Sequence, residues 1–157
     1  MKIAILILLL VSASKALAPV IAAKCSAVQR QIRNWHGLEN EISTILSAAE
    51  RNNCEGKLLS VLLAIRKTEN GPPGFEFGVK AVRGTDLETQ ARWAAATIVK
   101  NYQRWQKELW EGNGIVFINY LADRYCPPKD DPLGNINWKK NVCYWYQKFE
   151  QERNANN

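Results

Sequence analysis

The chain has 157 residues, a formal charge of +6 at neutral pH, four cysteines and one histidine. That length suits one domain with a single core rather than two. No two cysteines lie two to four residues apart and His36 is the only histidine, so no metal or other cofactor is expected.

Met1-Lys2 is followed by an uncharged run, rich in Ile and Leu, from Ile3 to Ser14, and then by small residues through Ala18. This is the layout of a secretory signal. The run is shorter than the roughly 20 apolar residues a permanent membrane anchor needs, so a secreted or periplasmic protein is expected. Ala13, Ala16, Ala18 and Ala23 all offer cleavage points, and Pro19 disfavours the one after Ala18. With residues 1–23 assigned to the leader, residues 24–153 form one domain. Its charge falls to +4 without Lys2 and Lys15. Such a surface attracts anionic partners weakly, and no interleaved basic and aromatic cluster points to nucleic acid.

Apolar residues recur at helical spacing almost throughout, which predicts an all-α fold. Helices are expected over 25–35, 38–51 and 56–69. Thr85-Asp86-Leu87-Glu88 reads as a capping box that starts the longest helix at Thr85, ended by Gly112-Asn113-Gly114. Its buried stripe is Leu87, Ala91, Ala94, Ile98, Tyr102, Trp105 and Leu109. Shorter helices are expected over 115–123 and 137–151, the last burying Trp138, Val142, Trp145 or Tyr146, and Phe149. The stretches 70–84 and 127–134 are rich in Gly and Pro and read as loops.

In an oxidising compartment Cys25, Cys54, Cys126 and Cys143 would form two disulfides. Three pairings are possible. Cys25–Cys54 with Cys126–Cys143 is preferred because each would staple neighbouring elements. His36, next to Trp35, reads as a packing or surface residue.

Glu69 is the residue out of place. Leu58, Leu62, Ile65 and Glu69 follow one another at spacings of four, three and four, so a carboxylate continues an apolar stripe. It also falls in the last helical turn, where the helix dipole disfavours negative charge. Burial and dipole both push its pKa upward. An ion pair with Arg66, three residues earlier, would relieve this and make Glu69 a plain helix end. Otherwise a carboxylic acid held protonated near neutral pH can donate its proton to a leaving group.

The segment Leu62-Leu63-Ala64-Ile65-Arg66-Lys67-Thr68-Glu69-Asn70-Gly71 resembles the helix end that carries the catalytic glutamate in lytic transglycosylases and goose-type lysozymes. Phe75-Glu76-Phe77-Gly78-Val79 stands in the place of that superfamily's groove-lining loop. The segment from Asp86 to Trp93 is similar to its next long helix, and the one from Phe117 to Tyr125 to the part supplying a groove-lining tyrosine. The chain departs from the family in having Glu-Asn for the usual Glu-Ser and in lacking its Gly-Leu-Met-Gln loop.

The resemblance implies a single lysozyme-like domain that cleaves peptidoglycan glycan strands, with Glu69 as catalytic acid. Glu76, Phe75, Phe77, Tyr120 and Tyr125 would bind substrate, with Tyr125 favoured over Tyr120 for the tyrosine role. No second catalytic carboxylate stands out, since Asp86 and Glu88 read as caps and Asp123, Asp130 and Asp131 as surface or turn residues. A single acid suits a lytic transglycosylase. A hydrolytic lysozyme, and a non-catalytic wall-binding or inhibitor protein on the same scaffold, are the alternatives.

Overall fold

A computed structural model describes residues 34–109 and 114–155 of the chain. The leader, Cys25 and most of the expected first helix lie outside these residues. The described residues are helical, with no strand among them. In chain order they are α1 (Ile42–Arg51), α2 (Lys57–Glu69), α3 (Leu87–Leu109), α4 (Gly114–Tyr125) and α5 (Pro132–Asn154), with a 3₁₀ turn at Lys80–Val82.

The helix α2 is the axle of the bundle. Its residues from Leu59 to Arg66 are all buried, so it is enclosed on every side rather than amphipathic. It packs most extensively on α5 and also meets α1, α3 and α4. The second large interface joins α1 to α3. Small side chains make that approach close, with Ala48 and Ala49 of α1 and Ala91, Ala94 and Ala95 of α3 all buried. Trp138, Val142, Tyr146 and Phe149 form the buried side of α5, matching the expected stripe.

Three helix starts differ from expectation. Leu38 to Glu41 is a turn, and α1 proper begins at Ile42. For α3 the cap is Asp86 rather than Thr85: Asp86 Oδ1 accepts the Thr89 amide at 2.8 Å. Thr85 instead donates its hydroxyl to Val82 O, and Glu88 pairs with Arg51 at 2.5 Å. Helix α5 starts five residues early, because Asp131 accepts the Gly134 amide at 2.7 Å and Pro132 occupies the first turn. Proline is favoured there, since its missing N–H has no intrahelical partner to lose.

Cys54, Cys126 and Cys143 are free thiols, so the expected Cys126–Cys143 bridge is not formed. Asn135 Nδ2 donates to Cys126 O at 2.6 Å, which places Cys126 beside the first turns of α5. Cys143 lies eight residues further along that helix, roughly 12 Å at 1.5 Å per residue. That exceeds the Cα separation of about 7 Å a disulfide can span. The Cys54 thiol is buried in the core, and its pKa is pushed up to about 12.

Candidate active site

The site is built where the enclosed helix stops. Asn70 adopts a left-handed conformation, with φ of 42°, and its amide caps Arg66 O at 3.1 Å. The chain then turns sharply away. Glu69 is therefore carried by the most buried helix yet projects from its end, and its side chain is only partly buried.

Arg66 does not neutralise it. The Arg66 guanidinium makes a two-pronged ion pair with Glu41, Nε to Oε2 at 2.6 Å and Nη2 to Oε1 at 2.7 Å. The arginine is buried, and stranding such a charge would cost about 3–5 kcal/mol, so it stays committed to Glu41. The helix-end ion pair that would have explained Glu69 is thus replaced by a pair facing elsewhere.

What touches the Glu69 carboxyl is an indole. Trp138 Nε1, on α5, donates to Glu69 Oε1 at 2.8 Å. Burial raises the Glu69 pKa above the ordinary carboxylate value, and the Trp138 hydrogen bond opposes this without cancelling it. Among the described residues no other carboxylate adds to the shift. The Trp138 ring is stacked on Tyr125 from the end of α4, with centroids 5.3 Å apart and 27° between planes. The Tyr125 hydroxyl donates to Phe77 O, and burial together with the Glu69 charge pushes its phenol pKa up.

The loop after α2 closes against the carboxyl through Gly78, where φ is 68°. A methyl built on Gly78 would lie 2.7 Å from Glu69 Cδ, inside contact distance, so a side chain there would displace the acid, and the positive φ itself favours glycine. Gln90 of α3 holds this loop from beneath. Its buried amide donates to Gly74 O at 3.1 Å and Val82 O at 2.7 Å, and the Gly84 amide adds a bond to Gly74 O at 2.8 Å. A loop of glycines and prolines is thereby fixed to a helix.

The expected site residues separate into two groups. Glu69 and Tyr125 are brought together. Phe75 is half-buried in the same loop, and Arg83 lies over its ring at 5.0 Å. Phe77 and Glu76 do not line a groove: Phe77 is fully enclosed in the core, and Glu76 is buried with Oε1 accepting the Gly74 amide at 2.9 Å. Both adjacent side chains turn inward here, because Gln90 and the Gly74 amide draw the loop onto the body of the protein. Tyr120 is turned away from the site, its hydroxyl bonded to Glu108 at 2.9 Å and its ring under Arg124 at 3.8 Å.

Trp138, Gly78 and Gln90 were not singled out by sequence. Helical spacing places Trp138 in the core, and it is buried there. A buried indole N–H calls for an acceptor, but helical spacing does not say which. His36 is a packing residue, half-buried against Trp145 and Phe149. Asp123 pairs with Lys139 at 2.7 Å on the surface. Protein-family models, curated proteins and solved structures were all compared with the chain, and none matches.

Proposed function

We propose that the protein is an exported enzyme that cleaves the muramic acid to glucosamine bond of peptidoglycan as a lytic transglycosylase, on a lysozyme-like domain. The observation that carries this reading is Glu69. It is a partly buried carboxyl without a cationic partner among the described residues, its pKa raised by burial, at the exposed end of an enclosed helix. In the first step the protonated carboxyl gives its hydrogen to the glycosidic oxygen as the bond from that oxygen to the anomeric carbon breaks. In the second the muramic sugar's own hydroxyl bonds to the anomeric carbon, and its proton returns to the Glu69 carboxylate. No water is consumed, and one group serves as acid and then base. Glycosidases that use water work with two carboxyl groups, and among the described residues no second carboxylate perturbs Glu69.

The test is to incubate the mature protein with purified sacculi and weigh the released fragments by mass spectrometry. Anhydro ends are expected; reducing ends would make the enzyme a hydrolytic lysozyme. Glu69→Gln should lower release at least about 100-fold, with folding and wall binding intact. Sacculi left undissolved by the native protein across pH and salt would overturn the enzyme reading.

A further inference from the structure

We infer that Trp138 is a positioning residue that divides the work of the Glu69 carboxyl: Oε1 accepts the indole N–H, and Oε2 carries the proton that is transferred. The inference rests on the acid role of Glu69 proposed above.

An indole nitrogen can only donate a hydrogen bond. With Trp138 Nε1 at 2.8 Å, Oε1 cannot also hold the acidic hydrogen on that side, so the protonated form places it on Oε2. The carboxyl lies over Gly78, whose missing side chain leaves the room it needs. The indole cannot drift from this position. It is stacked on Tyr125, and Tyr125 is tied through its hydroxyl to Phe77 O, one residue before Gly78. Contacts therefore run in a ring from Glu69 to Trp138, Tyr125, Phe77 and Gly78 and back to Glu69. They draw on α2, α5, α4 and the loop, so no single element can move the acid alone.

The same N–H acts in both halves of the reaction. While the acid is protonated, it selects the oxygen that donates. Once the proton has gone, it becomes a charge-assisted bond to the carboxylate, which must persist until the internal hydroxyl returns a proton. The opposing effects of burial and of Trp138 on Glu69 agree with this arrangement.

Trp138→Phe keeps an aromatic ring against Tyr125 and removes the donor. Two measurements are made on the mature protein: the titration of the Glu69 side-chain carboxyl by carbon NMR, without substrate, and the pH profile of sacculus digestion. In the variant the Glu69 midpoint should move up, and the high-pH limb of digestion should move with it. At the optimum kcat should fall about tenfold, the scale of a lost hydrogen bond to a charged group, with KM little changed. An unmoved Glu69 midpoint overturns the inference whatever happens to the sacculi. Absence of digestion by the native protein overturns the peptidoglycan reading instead, and the carboxyl titration still decides the role of Trp138. If the phenylalanine variant does not fold, benzothienylalanine at position 138, which puts sulfur in place of the N–H on a ring of the same shape, supports the same comparison with the same outcomes.

Discussion

Two indoles at opposite ends of α2 show how little separates a core aromatic from a site residue. Trp105 and Trp138 are both buried, and each packs against a tyrosine: Trp105 on Tyr102 at 5.6 Å, Trp138 on Tyr125 at 5.3 Å. At the Trp138 end the N–H meets a carboxyl. At the other end Trp105, with Leu58, Val61, Tyr102 and Phe117, lines a cavity of about 310 Å³, and its N–H is buried without a partner among the described residues. Both indoles pack on a tyrosine ring at a similar distance, Trp105 tilted and Trp138 stacked. What distinguishes the first end is an acid at a helix C-terminus, held between an indole and a glycine.

The comparison breaks most sharply at Gly78. In Gly78→Ala the new methyl would force the Glu69 carboxyl aside. Misplacing a catalytic group by about 1 Å costs on the order of 100-fold, so sacculus digestion should fall by that factor. Holding alanine at φ of 68° should also cost about 1–3 kcal/mol, read as a lower melting temperature. Undiminished digestion by this variant would mean that the carboxyl need not lie where the structure puts it.

A smaller effect separates the two ends by pH. Burial raises the Glu69 pKa in the folded state, so the native protein binds this proton more tightly than the unfolded chain does. Stability from this group is therefore complete below the unfolded value of about 4.3 and is lost as pH rises through the folded value. Glu69→Gln removes the titration. Its melting temperature should gain on the native protein as pH rises above the unfolded carboxylate value, and level off once pH has passed the folded value. A constant difference across that range would show that burial does not strain the carboxyl.

The parts of this arrangement that sequence made legible are those with a local cause. Glu69 was visible because one carboxylate interrupts a stripe of leucine and isoleucine, and α2 ends where Asn70-Gly71-Pro72-Pro73 requires. Tyr125 was found by resemblance, and its neighbour Cys126 was misread because spacing along the chain says nothing about position along a facing helix. The groove placement of Phe77 and Glu76 comes from the resemblance of Phe75 to Val79 to a groove-lining loop, which carries no information on which of its side chains face inward. Their burial follows from Gln90, which pulls the loop onto α3 from outside it. Trp138 lies 69 residues from the acid it touches. No local pattern could pair them, because that contact is set by how α5 lies against α2.

The smallest expected effect is the one that tests the comparison most directly. Trp105→Phe removes an indole N–H that has no acceptor among the described residues, and relief of a buried unpaired donor is worth about 1–3 kcal/mol. The smaller ring also enlarges a cavity already present, which costs a similar amount. These terms oppose each other, so stability in urea should change by no more than about 1 kcal/mol. Digestion of sacculi and the Glu69 titration should not change at all, since α2 separates Trp105 from the acid by its full length. Trp138→Phe is the matched substitution at the other end, with the same loss of one N–H from an indole packed on a tyrosine. If the two variants lowered digestion equally, general loosening of the bundle would account for both, and the hydrogen bond from Trp138 to Glu69 would have no special place in the site.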